Sequence, residues 1–217
     1  MKSRLETLFI VLFLAAICGF GFWKMIEHQK RTEANNEVLR QYFVKNDSKV
    51  VLLRIIHEKM PKTPTETQVK LTDTIYAVSE LRQVPLSLIC GLIETESTWN
   101  AEVVSEANAK GLMQLLPSTA RPYLRAERLN YSENILFDPV VNVLVGISLL
   151  ADLQEGHVEA GKAQKNDFTF SLHSYFWGSQ NTLTLYSKKD MRVNVPNLAY
   201  PQRVLEASKK YAALGLQ

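Results

Sequence analysis

The sequence predicts an all-α protein, with one helical domain behind an apolar N-terminal helix. The chain has 217 residues but only 9 glycines, and residues that favour helix are abundant. Apolar residues recur every three or four positions, and no long alternating pattern typical of strands is present. The length suits one domain of ordinary size with an appendage. The net charge of +3 is small and evenly spread, so nucleic acid is not an expected partner.

An uncharged apolar segment near the N-terminus predicts attachment to a membrane. It runs from Thr7 to Trp23 between charged flanks, and its length is short for a transmembrane helix but long for a signal-peptide core. No convincing small-x-small cleavage site follows it. We therefore predict a tail at residues 1–6 and an uncleaved anchor at residues 7–26, with a removed signal peptide as the alternative. Positive charges on the two sides nearly balance, so they do not set the orientation.

The remainder of the chain divides into a stalk and a globular domain. Residues 27–62 combine polar residues with apolar clusters, and we interpret them as a helical stalk carrying a second short helix, whose packing on the domain is left open. The domain is predicted to span residues 63–217. Thr63 as a capping residue and Pro64 at the first helical position are typical of a helix start. Apolar residues on one face extend this helix to about Gln83: Val69, Leu71, Ile75, Val78 and Leu81.

Proline and capping residues mark the later helices. Val84-Pro85 ends the first helix of the domain and begins the next. A further helix is expected from Asp138, its N-cap, to about Gln154. Two more are expected at residues 168–176 and 201–214. Cys18 and Cys90 are not expected to form a disulfide.

No metal site or cofactor is predicted. His57-Glu58 begins like the zinc-protease motif H-E-x-x-H, but residue 61 is proline and no second histidine follows.

Glu96 is the candidate catalytic residue. It ends an apolar run in which positions 85, 89, 92 and 96 share one helical face, whereas Glu94 lies about 200° around the helix. Burial against apolar side chains disfavours a carboxylate and raises its pKa. A general acid at neutral pH needs such a raised pKa. The alternative is a structural acid paired with a buried arginine or with backbone donors.

A motif after Glu96 makes the prediction specific. Asn108 and Gly111 tolerate the positive φ that a loop bending over a cleft requires. The run resembles the soluble-lytic-transglycosylase family, which is related to goose-type lysozyme. The resemblance covers residues 63–214 and is carried in order by Glu96-Ser97, Trp99-Asn100, Ser105, Ala109, Gly111-Leu112-Met113-Gln114, Pro117, Thr119-Ala120, Leu136-Phe137-Asp138-Pro139, Asn142, Gly146, Tyr175, Gly178, Tyr200-Pro201 and Val204.

The resemblance implies a lysozyme-like helical fold and an enzyme that acts on peptidoglycan glycan strands. A lytic transglycosylase cuts the β-1,4 bond between N-acetylmuramic acid and N-acetylglucosamine and leaves 1,6-anhydro ends, with Glu96 as catalytic acid and base. The domain would then lie outside the bacterial inner membrane, on the periplasmic or exterior side. The remaining residues would hydrogen-bond near the acid (Ser97 and Ser105), line sugar subsites (Met113 and Gln114), or orient Glu96 or the substrate (Tyr175).

Departures from the family pattern keep two alternatives open. Ala101 for Pro, Asn108 for Gly and Leu116 for Met are conservative, but Phe176 stands where the family has Asn, so a polar group at the cleft is lost. One alternative is a lysozyme-type hydrolase, with water positioned by a second acid such as Asp138. The other, which Phe176 favours, is a non-catalytic peptidoglycan-binding component of a secretion or conjugation machine.

Overall fold

The computed structural model describes residues 23–33, 48–132, 134–161, 163–179, 181–182 and 199–216. It divides the chain into two units, Met1–Asp47 and Ser48–Gln217. Within the first unit, residues 23–33 are helical. Most of the predicted anchor, up to residue 22, lies outside the described residues. Among the helices that are described, none has both the length and the apolar character needed to cross a membrane.

The second unit is helical throughout its regular structure, apart from isolated bridges that join Lys110 to Val104 and Leu115. The all-α prediction is therefore confirmed for the described residues. The helices are α1 (48–59), α2 (Thr65–Arg82), α3 (Leu86–Ser97), α4 (Pro117–Ala126), a 3-10 turn (Ile135–Phe137), α5 (Pro139–Glu159), α6 (Thr169–Trp177) and α7 (Ala199–Ala213). Residues 181–182 are also helical.

Helix α3 lies at the centre of the core. Every residue from Leu86 to Ile93 is buried, so α3 is enclosed on all sides rather than along the single predicted stripe. Its main partner is α7. Gly91 allows the close approach, because a Cβ there would lie 2.6 Å from the backbone nitrogen of Ser208. This packing brings the start of α7 to the end of α3, where Glu96 lies.

Helix α1, which was predicted to lie in the stalk with its packing on the domain left open, belongs to the core. Leu52 and Ile56 are fully buried within the main apolar cluster. The turn after α1 is closed by Gln68, whose Nε2 donates to the carbonyls of Met60 at 3.0 Å and Thr63 at 2.9 Å. The compact unit therefore begins at Ser48, ahead of the predicted boundary at residue 63, because the apolar residues of α1 complete the core.

Helix α2 buries three of its five predicted apolar residues, Leu71, Ile75 and Val78, and the other two are replaced on the buried face by polar residues. Val69 is 41% exposed and Leu81 is 79% exposed, whereas Thr72 and Ser79 are buried. These hydroxyls satisfy their hydrogen bonds internally: Thr72 donates to the Gln68 carbonyl at 2.8 Å and Ser79 to the Val84 carbonyl at 2.6 Å. Burial of such satisfied polar groups carries little penalty.

The ends of the helices also differ in places from the prediction. Helix α2 begins at Thr65, with Pro64 as its N-cap and no side-chain capping bond, so the predicted Thr63 cap is wrong. Helix α4 was not predicted; Pro117 opens it and Pro122 lies inside it. Helix α5 continues past Gln154 to Glu159. Its predicted N-cap is confirmed, because an Asp138 carboxylate oxygen accepts from two backbone N–H groups at 2.8 and 3.1 Å.

Candidate active site

Glu96 lies in the last turn of α3 and faces a groove of about 250 Å³. Among the described residues that line this groove, Glu96 is the only one with a carboxyl group. The other lining residues come from the loop after α3 and from α4, α5 and α6: Ser105, Ala107, Ala109, Gln114, Leu115, Leu116, Thr119, Leu149, Tyr175 and Phe176.

Two larger cavities lie elsewhere on the unit. One of about 630 Å³ lies between α2 and α5, and one of about 670 Å³ lies beside the end of α1 and the turn after α3. Neither is lined by Glu96 or by the loop from residue 105 to 116. We therefore place the candidate active site in the smaller groove, because Glu96 lines it, although the other two cavities are larger.

The environment of Glu96 favours its neutral form. The residue is half-buried, and burial raises the pKa of its carboxyl from 4.5 to about 7. Two groups oppose this effect without cancelling it: the Tyr200 hydroxyl, which donates a hydrogen bond to Oε1, and the positive charge of Arg203. Near neutral pH both protonation states of Glu96 are populated, as acid–base catalysis requires.

Glu94 has the opposite environment on the same helix. Its Oε2 accepts from the Tyr211 hydroxyl at 2.8 Å and from Lys59 Nζ at 3.0 Å, and Trp99 Nε1 donates to the Tyr211 hydroxyl at 2.9 Å. Burial alone would raise the pKa of Glu94, but the Tyr211 and Lys59 contacts lower it below the usual value. Glu94 is therefore a structural anion, and Glu96 is the acid suited to proton transfer.

A tight turn carries Ser105 into the groove. The backbone N–H of Ser105 donates to the Ala109 carbonyl at 2.9 Å, and the Ser105 hydroxyl accepts from the Ala109 N–H at 3.0 Å. Asn108, within the turn, has φ +64°, so its predicted positive φ is confirmed. The turn thus places Ser105 on the groove wall that it shares with Glu96.

Asn142 of α5 fixes the segment from Gly111 to Gln114. The fully buried amide accepts from the Met113 N–H at 2.8 Å and donates to the carbonyls of Lys110 at 2.9 Å and Leu136 at 2.8 Å. Gly111 has φ +79°, as predicted, and a Cβ there would lie 2.3 Å from Asn142 Nδ2. Only glycine therefore fits this junction without displacing the loop.

The structure separates the predicted site residues into two groups. Ser105, Gln114 and Tyr175 line the groove with Glu96. Gln114 Nε2 donates to the carbonyls of Val103 at 3.1 Å and Gly111 at 3.0 Å, so these amide donors hold the loop. The Tyr175 hydroxyl donates to the Met113 carbonyl at 2.8 Å, and its hydrogen bond therefore goes to the loop rather than to Glu96.

Ser97 and Met113 do not reach the groove. The Ser97 side chain is buried, and its hydroxyl donates back to the Ile93 carbonyl at 3.2 Å. The Met113 side chain is fully buried and packs where Gly146 of α5 leaves space, since a Cβ at Gly146 would lie 2.4 Å from the Met113 sulfur. The structure thus places Met113 in the core instead of at a sugar subsite.

Tyr200 was not among the predicted site residues, and Phe176 was identified only as the departure from the family's Asn at the cleft. Tyr200 is the hydrogen-bond donor to Glu96, and the ring of Phe176 stacks on it with centroids 4.5 Å apart and planes inclined by 22°. The sequence feature that could have identified Tyr200 is the match of Tyr200-Pro201 to the end of the family pattern. Nothing local to Tyr200 indicated its partner, which lies more than a hundred residues earlier in the chain.

Residues 73–190, more than half of the chain, match the family model described as the Transglycosylase SLT domain. The chain belongs to the SLT transglycosylase family. This SLT chain resembles a membrane-bound lytic murein transglycosylase C from Histophilus somni, with 33% identity over 122 residues, 54% of this chain and 34% of the relative. Its match to the protein of that name from Haemophilus influenzae has 26% identity over 199 residues, 85% of this chain and 56% of the relative. The SLT chain therefore spans between a third and just over half of these relatives.

Two solved structures resemble the SLT chain. An inactive mutant of the lytic transglycosylase Slt from Pseudomonas aeruginosa has a TM-score of 0.54 and 20% identity over 65% of this chain and 24% of that protein. The 70 kDa soluble lytic transglycosylase from Escherichia coli has a TM-score of 0.54 and 24% identity, with the same coverage. These likenesses support the lysozyme-like helical fold.

Proposed function

We propose that this SLT-family protein is a lytic transglycosylase that cleaves the β-1,4 bond between N-acetylmuramic acid and N-acetylglucosamine in peptidoglycan. One observation carries the proposal: burial raises the pKa of Glu96 to about 7, and no other described lining residue of the groove is acidic. A single carboxyl suits a reaction in which the substrate itself supplies the second catalytic group.

In the first step, protonated Glu96 donates its proton to the bridging oxygen as the bond to the anomeric carbon breaks. The N-acetyl oxygen of the muramic acid stabilises the positive charge that develops there. The Tyr200 hydroxyl, already hydrogen-bonded to Oε1, stabilises the Glu96 carboxylate that the step produces.

In the second step, the Glu96 carboxylate accepts the proton of the muramic acid 6-hydroxyl. The 6-oxygen attacks the anomeric carbon and closes the 1,6-anhydro ring, which returns Glu96 to its protonated form. Because the nucleophile belongs to the substrate, the reaction needs no positioned water, and proximity supplies much of the rate.

A hydrolase would need a second group to position the attacking water. Asp138 is the acid that the sequence offers for this role, but one of its oxygens accepts from the Val140 and Val141 N–H groups at the start of α5. Asp138 is also absent from the residues that line the groove. The intramolecular route is therefore the one that we propose.

The experiment is digestion of purified peptidoglycan by the protein, with mass spectrometry of the released muropeptides. We expect anhydro ends, each lighter by one water than the hydrolysis product. Glu96→Gln should abolish their release, and Glu94→Gln on the same helix is the matched control that should retain it. Reducing ends would indicate a hydrolase, equal digestion by Glu96→Gln would refute catalysis by Glu96, and sedimentation with peptidoglycan without digestion would indicate a non-catalytic wall-binding component.

We also propose that residues 7–26 anchor the protein in the bacterial inner membrane, with the SLT domain on the periplasmic or exterior side. The apolar segment supports this, as do the relatives that are named membrane-bound. The protein should remain in the membrane fraction after alkaline extraction, and removal of residues 1–26 should release it. A reporter fused after Gln217 should be active outside the cytoplasm; a cytoplasmic reporter would contradict the proposed orientation.

A further inference from the structure

Phe176 forms the part of the groove wall next to the Tyr200–Glu96 pair. Its side chain is 47% exposed and lines the groove, yet its ring stacks on Tyr200 with centroids 4.5 Å apart and an interplanar angle of 22°. This geometry lies within the range of favourable offset-stacked aromatic pairs. One aromatic ring thus contacts the residue that donates to the candidate catalytic acid.

The position of the Tyr200 ring decides whether its hydroxyl can reach Glu96. Tyr200 is the first tyrosine of α7 and is 3% exposed, and its hydroxyl is a rigid extension of the ring plane. Rotation about its Cα–Cβ bond would therefore withdraw the hydroxyl from Oε1. Phe176 contacts the ring by stacking, and the Arg203 guanidinium lies 5.9 Å from the ring centroid.

We propose that Phe176 is a positioning residue, whose ring holds the Tyr200 ring so that the Tyr200 hydroxyl stays on Glu96. Phe176, which stands where the family pattern has Asn, would thus position Tyr200 in this chain. The inference deepens the proposed function, because its kinetic consequences depend on Glu96 acting as the acid and base. The proposed contact between the Phe176 and Tyr200 rings does not depend on that role of Glu96.

Substitution of Phe176 tests this contact without changing any charge near Glu96. The titratable and charged groups that face Glu96 are Tyr200 and Arg203 from α7 and Tyr175 from α6. The Tyr175 hydroxyl is already committed to the Met113 carbonyl. A smaller side chain at position 176 would reduce the burial of Glu96 and so lower its pKa, whereas loss of the Tyr200 hydrogen bond would raise it. A rise in the pKa of Glu96 after substitution of Phe176 is therefore the change expected through Tyr200.

The first test is titration of Glu96 by carbon NMR in the full chain, with the Glu96 signal assigned by its loss in Glu96→Gln. The Tyr200 hydrogen bond lowers the pKa of Glu96, so Tyr200→Phe should raise it. Phe176→Leu keeps an apolar side chain but removes the stack, and it should raise this pKa in the same direction. Phe176→Tyr retains the stack and should leave it unchanged. The inference is overturned if Phe176→Leu titrates as the unmodified protein does, or if Tyr200→Phe has no effect.

The second test is a comparison of kcat with KM on purified glycan strands. Phe176→Leu should lower kcat by about 2- to 12-fold, the range that corresponds to an aromatic pair, and leave KM within about twofold. Phe176→Tyr should restore kcat, and Leu214→Ala, which truncates an exposed apolar side chain elsewhere, should change neither value. A rise in KM with unchanged kcat would show that Phe176 contacts substrate instead. If the unmodified protein cleaves no glycan, the proposed function fails, but the titration still decides the inference.

Discussion

Replacing Glu96 by Gln should stabilise the fold at neutral and alkaline pH while it removes the proposed catalytic group. Burial raises the pKa of Glu96 from 4.5 to about 7, so the folded protein resists ionisation of this carboxyl more than the unfolded chain does. At about 1.4 kcal/mol per pH unit, the difference gives an upper bound of about 3 kcal/mol. Gln has nearly the same shape and keeps an acceptor for Tyr200, but it carries no charge.

The direction in which stability changes with pH depends on whether the folded or the unfolded state binds the proton of Glu96 more tightly. Because the folded pKa of Glu96 lies above the unfolded value, the folded state holds the proton between pH 4.5 and about 7. The contribution of Glu96 to stability is therefore full below pH 4.5 and is lost as pH rises through about 7. Glu94 has a lowered pKa, so its contribution is present above its unfolded pKa and is lost as pH falls through its folded pKa.

The assay is urea denaturation at a series of pH values from 4 to 8.5. The free energy of unfolding of Glu96→Gln, minus that of the unmodified protein, should grow by about 2–3 kcal/mol across this range. Glu94→Gln is the matched control on the same helix, and it should destabilise the protein most at neutral pH because it removes a paired anion. A difference for Glu96→Gln that stays flat with pH, or shrinks as pH rises, would refute the reasoning.

Three further substitutions test the site and its support. Tyr200→Phe should slow cleavage by about tenfold and move the alkaline limb of the pH–rate profile upward, because the Tyr200 hydrogen bond lowers the pKa of Glu96; an unchanged profile would contradict this. Asn142→Ala should cost about 2–4 kcal/mol in urea denaturation, because the Met113 N–H and the Leu136 carbonyl lose their partner and the Lys110 carbonyl keeps only the Leu115 N–H; a loss below about 1 kcal/mol would show that the loop keeps its conformation without Asn142. Gly91→Ala should lower the melting temperature, because the new Cβ meets the α7 backbone. Gly156→Ala, in α5 with nothing within 4 Å, is its control and should stabilise by up to about 1 kcal/mol.

Features that depend only on residues close together in the chain were predictable from the sequence. Val84-Pro85 separates α2 from α3 as expected, and Asp138 caps α5. The positive φ of Asn108 and Gly111 followed from their residue types. The placement of Glu94 and Glu96 on different sides of α3 followed from the helical repeat, since residues two apart in sequence point in nearly opposite directions from a helix.

Features that depend on packing were not predictable in this way. Helix α1 was interpreted as part of a stalk because polar and charged residues surround its apolar cluster in the sequence, yet that cluster packs into the core. Met113 was expected at a sugar subsite, but Gly146 leaves room for its side chain inside the unit. Ser97 follows Glu96 directly, yet its hydroxyl is used by the helix itself.

The sequence by itself determined that the protein is helical and that Glu96 is the acid to examine, because helix periodicity and the character of a carboxyl among apolar neighbours are local properties. The tertiary structure decided which groups control that acid. Tyr200 reaches Glu96, and Phe176 reaches Tyr200, only because α7 packs closely against α3 and α6 lies beside it. Such contacts between distant segments depend on how the helices fill space together, which no short stretch of the chain encodes.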